Sequence, residues 1–181
     1  MASETMASCG QCQKRPLPMT QVVVATDYSR AAPLIHGLKF RHQHHWAEVC
    51  AELLWQRIQT DGIEIPGPLV PMPLHWRRKL WRGYNQAELI ARALSRRLEQ
   101  PVVTLLRRKR ATKKQHELPK SQRRRNVSGA FCCRQTPPST VILIDDVMTS
   151  GETAAAATKA LHHAGCQKVF LWCVAKTSRL Q

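Results

Sequence analysis

The stretch Val141–Thr153, VILIDDVMTSGET, sets two adjacent carboxylates, Asp145 and Asp146, just before Thr149, Ser150, Gly151, Glu152 and Thr153. A loop of small hydroxyl residues that runs into a helix offers free backbone N–H groups and the positive end of the helix dipole, which suits a phosphate. Gly151 allows close backbone approach, and the hydroxyls of Thr149, Ser150 and Thr153 add donors. Two carboxylates beside that loop would repel an anion, so they must face hydroxyls or a metal ion. A ribose 5-phosphate with free 2- and 3-hydroxyls meets both demands.

The elements that must position these groups follow from the pattern. Val141–Ile144 is a continuous apolar run and reads as a buried strand. The alanine-rich segment after Thr153 reads as a helix that Gly165 can close. In an open parallel sheet, ligands bind beyond the carboxyl ends of the strands. Upstream, Gln21–Tyr28 predicts a strand, and Pro33 predicts the first position of a short helix carrying Leu34, Ile35 and Leu38. Trp46, Val49, Cys50, Leu53, Leu54 and Ile58 have helical spacing. Leu69–Pro73 predicts a short strand running into a stiff turn. Asn85 and Glu88 read as a capping box opening a helix that ends before Pro101. Val102–Leu106 predicts the next buried strand, Gly129–Cys133 a short one and Val169–Ala175 the last. Strands alternating with helices predict an α/β fold with a mainly parallel sheet flanked by helices.

The chain has 181 residues and a formal charge of +16. That charge is concentrated: residues 77–82 hold four cations and no acid, and residues 107–125 hold ten against Glu117. Such stretches suit a polyanionic partner, either a pyrophosphate-bearing small molecule or a nucleic acid. The second stretch is too charged for a core and reads as a loop over the site. Trp76, Trp81 and Tyr84 interleave with the first. Two of the three are expected to pack beneath the local chain; exposed ones could stack on single-stranded bases. His42, His44 and His45 read as solvated residues at a helix start. The seven cysteines, an odd number that includes the adjacent Cys132 and Cys133, argue against a disulfide framework. No apolar run is long enough to insert in a membrane, and the first residues lack a signal-peptide pattern. The expectation is a cytoplasmic protein.

The acidic pair with its T-S-G-x-T loop resembles the PRPP-binding motif of type I phosphoribosyltransferases. Three further stretches are similar to one branch, the ComF/GntX proteins associated with competence and DNA utilisation. They are Val70-Pro71-Met72-Pro73-Leu74 with Arg82-Gly83-Tyr84-Asn85-Gln86, Arg110-Ala111-Thr112 with Gln115, and Arg125-Asn126-Val127 with Gly129-Ala130-Phe131. The resemblance covers roughly residues 9–177.

That resemblance implies a phosphoribosyltransferase-like domain over 20–181, with a small N-terminal hood mainly in 20–68 and a core in 69–181. Residues 1–19 would be the remnant of a cysteine module, whose Cys9 and Cys12 make half of a zinc site. Asp145 and Asp146 would hold the ribose hydroxyls, and Thr149, Ser150, Gly151, Glu152 and Thr153 the 5-phosphate. Val70, Pro71, Met72 and Pro73 would form the pyrophosphate loop. Arg77, Arg78, Arg82, Arg110, Lys113 and Lys114 would form a basic rim and lid. Mg²⁺ would accompany PRPP. A transferase would displace pyrophosphate from C1 with an acceptor such as a nucleobase, and Glu152 is the candidate general base. The alternative is a binding protein that keeps the PRPP fold and contacts single-stranded DNA or a protein of the competence machinery.

Overall fold

In a computed structural model, residues 17–109 and 125–177 are described. Four parallel strands form the sheet: β1 (Gln21–Asp27), β2 (Leu69–Pro71), β5 (Thr140–Met148) and β6 (Lys168–Lys176), in the order β1-β6-β5-β2. The helices are α1 (Tyr28–Phe40), α2 (Trp46–Thr60), α3 (Trp76–Arg82), α4 (Gln86–Leu98) and α5 (Glu152–His163). Two short strands, β3 (Leu106–Arg108) and β4 (Phe131–Cys133), pair antiparallel in a separate ribbon.

Alternation along β5 and β6 makes three layers. Ile142, Ile144, Trp172 and Val174 face one core with residues of α1, α2 and α4. Val141, Leu143, Leu171 and Cys173 face a second core with α5 and the β3–β4 ribbon. Burial on both faces is why these strands read as unbroken apolar runs instead of alternating ones. The stretch 20–68 supplies edge strand β1 and helices α1 and α2 to this same body.

Several expectations shift. Val102–Leu106 is not a strand of the sheet: Val102 makes one isolated bridge with Leu69, and the chain pairs only from Leu106 onward, with β4. Arg107 and Arg108 lie in β3 instead of a loop, and Arg108 is buried. Helix α1 begins at Tyr28, so Pro33 lies inside it, not at its start. The basic-aromatic stretch forms α3, capped by the His75 ring and ended by Gly83 in the left-handed region (φ +82°). Asn85 stands at the start of α4 without capping it. Trp76 and Trp81 do not pack beneath anything: they are 57% and 74% exposed. The three histidines precede α2 on the surface, and His42 and His44 meet the Tyr84 ring.

Candidate functional site

Strand β5 runs from buried core to the carboxyl end of the sheet and there presents its acids. The Asp146 N–H donates to Asp145 Oδ1 at 2.9 Å, and the Val147 N–H donates to Asp146 Oδ1 at 2.8 Å. These bonds fix both carboxyl groups against the strand end. Burial and the adjacent Asp146 carboxylate push the Asp145 pKa up to about 8, against the pull of Lys39. Asp145 thus keeps its proton to higher pH than an ordinary carboxyl and can then donate as well as accept. From α1, Lys39 places its Nζ 2.5 Å from Asp146 Oδ2. Burial alone would lower the Lys39 pKa, but the Asp146 and Asp145 charges outweigh it and raise it.

Beyond β5 the chain turns through Thr149 and Ser150 into Gly151, whose φ of +75° opens α5. A glycine takes that conformation without strain. The first backbone N–H groups of α5 have no intrahelical acceptor. Thr149, Gly151, Thr153 and Ala154 line a cleft of about 760 Å³ together with Asp145 and Asp146. Between the first two, the Ser150 hydroxyl is buried and has no hydrogen-bond partner among the described residues.

The other wall comes from β2 and α3. Val70 and Pro71 are buried within β2, so of the expected pyrophosphate loop only Met72 and Pro73, with Leu74, reach the cleft. The Met72 N–H donates to the Ile144 carbonyl at 2.9 Å, and Asn85 Nδ2 donates to the Met72 carbonyl at 3.0 Å. Asn85 thus ties the turn to α4 instead of capping the helix. Arg78 and Arg82, one helical turn apart on α3, both line the cleft, as does Arg108 from β3. Arg82 lies over the Phe40 ring (5.4 Å) and Arg108 over Phe131 (5.3 Å). Burial and the neighbouring Arg78 lower the Arg108 pKa to about 10, while Asp145 opposes the shift. Burial also lowers the His75 pKa, as do Arg108, Arg77 and Arg78, so this ring among three arginines is held neutral.

The cleft thus joins Asp145, Asp146, Thr149, Gly151, Thr153, Met72, Pro73, Arg78 and Arg82. Arg77 is left out, stacked over Trp76 at 5.3 Å. Glu152 sits in the first turn of α5 outside the lining, where its charge favours the helix N-terminus. Arg110, Lys113, Lys114, Cys9 and Cys12 lie outside the described residues. Among the described residues no group of three or more His, Cys, Asp or Glu could hold a metal ion. No described helix is long and apolar enough to cross a membrane. Sequence reasoning missed Lys39, Arg108, Tyr28 and Phe40. A lone lysine on an amphipathic helix carries no local signal, and Leu106-Arg107-Arg108, with charges at two successive positions, shows no strand alternation.

A family model described as a phosphoribosyl transferase domain matches residues 85–180. "DNA utilization protein YhgH" of Escherichia coli K12 is 36% identical over 127 residues, covering 65% of this chain and 54% of that protein. "Competence protein F" of Haemophilus influenzae is 33% identical over 98 residues, covering 51% and 43%. The chain spans about half the length of these curated relatives. The crystal structure of TT1426 from Thermus thermophilus aligns with a TM-score of 0.41 at 16% identity, over 75% of this chain and 85% of that one.

Proposed function

The chain belongs to the phosphoribosyl transferase domain family, in its ComF-type branch, and from that premise we propose that its cleft binds PRPP and that the protein acts in the use of DNA. The observation that carries this is the meeting, in one cleft, of the β5 acid pair, the N-terminus of α5 and the Arg78, Arg82 and Arg108 wall. The 5-phosphate lies against Thr149–Thr153, where helix N–H groups and hydroxyls donate. Asp145 and Asp146 take the ribose hydroxyls, and the pyrophosphate faces the arginines beside Met72 and Pro73.

Asp145 and Asp146 at the open cleft would hold Mg²⁺, an ion suited to carboxylate and phosphate oxygens, and it would offset charge on the pyrophosphate. In transfer, the acceptor forms its bond to C1 as the C1–O bond to pyrophosphate breaks, and the arginines stabilise the charge growing on the leaving group. Catalysis then rests on orientation more than on a protein nucleophile. The zinc assignment at Cys9 and Cys12 stays a proposal of the same kind, drawn from their CxxC spacing alone.

Calorimetric titration of PRPP with Mg²⁺ tests this reading. We expect binding to the wild-type chain, weakened about a hundredfold in Asp145→Ala/Asp146→Ala, because two charge-accepting hydrogen-bond sites are removed. Absence of wild-type binding at millimolar PRPP would overturn it.

A second reading, a protein that binds single-stranded nucleic acid, draws on α3. None of its residues is buried, and exposed Trp76 and Trp81 lie among Arg77, Arg78, Lys79 and Arg82. Base stacking with phosphate contacts needs that mixture, and its signature is an affinity that falls steeply with salt.

A further inference from the structure

Lys39 contacts the acid pair from α1, far in sequence from the β5–α5 segment. Its side chain is 24% exposed and that of Asp146 13%, so the pair is mostly withdrawn from water. Asp146 Oδ1 already accepts from the Val147 N–H, and Asp145 Oδ1 from the Asp146 N–H. The remaining Asp146 oxygen, Oδ2, faces the Lys39 ammonium. An ammonium offers N–H donors to that oxygen just as a sugar hydroxyl offers O–H.

The backbone beneath Lys39 is anchored. A Cβ at Gly37 would fall 2.6 Å from Gln43 Oε1 and 2.7 Å from the Trp46 ring, so the following loop is packed tightly onto α1. Trp46 Nε1 donates to Gln43 Oε1 at 3.0 Å. Leu38 is fully buried, and its carbonyl accepts from the Tyr84 hydroxyl at 2.5 Å. The side chain of Lys39, by contrast, has a flexible four-carbon stem and lies in the cleft beside Phe40 and Arg82. It can leave Asp146 without α1 moving.

We propose that Lys39 is an internal competitor for the ligand's hydroxyls: its ammonium holds the place on Asp146 that a ribose hydroxyl must take, and binding is an exchange in which Lys39 leaves that carboxylate. The inference rests on the reading of the cleft as a ribose-phosphate site and adds a specificity-determining residue to it. Recognition of the hydroxyls then carries a cost that recognition of the phosphate at Thr149–Thr153 does not.

The test compares ribose 5-phosphate with inorganic phosphate, by calorimetry on the full chain, in the wild type, Lys39→Met and Lys39→Arg, with folding checked by circular dichroism. Phosphate has no hydroxyl pair, so any general attraction of Lys39 for anions enters both affinities and cancels in their ratio. In Lys39→Met the ratio favouring ribose 5-phosphate should rise about tenfold. In Lys39→Arg, which keeps the competing cation, it should stay near the wild-type value. Should Lys39→Met fail to fold, Lys39→Gln serves for the same ratio. An unchanged or reduced ratio on removing the cation overturns the proposal. If the wild type prefers ribose 5-phosphate but the variants do not sharpen that preference, Lys39 is a structural tie and the ribose-phosphate reading survives. If no variant tells the two probes apart, both readings fall.

Discussion

The two walls of the cleft are built on opposite principles. On one side, β5 and α5 deliver Asp145, Asp146 and the Thr149–Thr153 loop from a single stretch whose strand is buried on both faces. On the other, α3 buries none of its residues and is held by its ends: the Arg77 N–H donates to the His75 ring at 3.3 Å, and Gly83 closes the last turn. Leu143 is fully buried, whereas Leu80 is 79% exposed. Rigidity is concentrated where the ligand's fixed partners stand. The wall with fixed acceptors and donors is continuous with the core, whereas α3 lies on the surface, where Arg78 and Arg82 can adjust to an anion, with buried Arg108 beside them.

The largest effect should come from breaking the core wall. Leu143→Ala removes a fully buried side chain at the centre of β5 and should cost about 2–5 kcal/mol of stability. Leu80→Ala, the same chemical change on α3, should stay within about 0.5 kcal/mol. Chemical denaturation of both variants checks this, and equal losses would erase the distinction between the walls.

A smaller effect lies in the acid pair. Asp145 has a folded pKa of about 8, above the ordinary 3.8, because burial and Asp146 disfavour its charge. The folded state therefore binds more protons than the unfolded one between those values. The contribution of this group to stability is full below about pH 4, is lost as pH rises toward the folded value near 8, and then levels. Asp145→Asn removes the titration and should flatten that slope in thermal melts from pH 5 upward. A slope unchanged in Asp145→Asn would mean that other groups set the pH response.

The same contrast explains what could be read from the residues alone. The β5–α5 wall was legible because strand, acids, loop and helix follow one another within Val141–Thr153, and local order is what sequence patterns record. The parallel sheet was legible for the same reason, through unbroken apolar runs in β5 and β6. Other features depended on distant partners. Asn85 has the chemistry of an N-cap, yet its amide is drawn to the Met72 carbonyl, which tertiary packing brings within 3.0 Å. Val102–Leu106 is apolar enough for a strand, but after one bridge at Val102 the chain leaves the sheet and pairs with β4. Lys39 meets Asp146 only because α1 packs beside the carboxyl end of β5. Helix α3 lacks an apolar face to announce it, and its N-terminal cap, the His75 ring, is not a residue type that marks a helix start in a sequence.

The exposed aromatics of α3 should matter least to stability. Trp76 and Trp81 are 57% and 74% exposed, so replacing them removes little buried area. Trp76→Ala/Trp81→Ala should shift stability by no more than about 0.5 kcal/mol. If α3 is a stacking surface, the same variant should weaken binding of a short single-stranded DNA markedly, since each stacked base contributes about 1–3 kcal/mol. Its affinity for PRPP should change far less, because the Asp145–Asp146 pair and the α5 terminus are untouched. The salt dependence of the remaining DNA binding should be retained, since Arg77, Arg78, Lys79 and Arg82 still meet phosphates. A double variant that binds DNA as tightly as the wild type would reduce α3 to a rim of the small-molecule cleft, and its exposed aromatics would have no part in recognising nucleic acid.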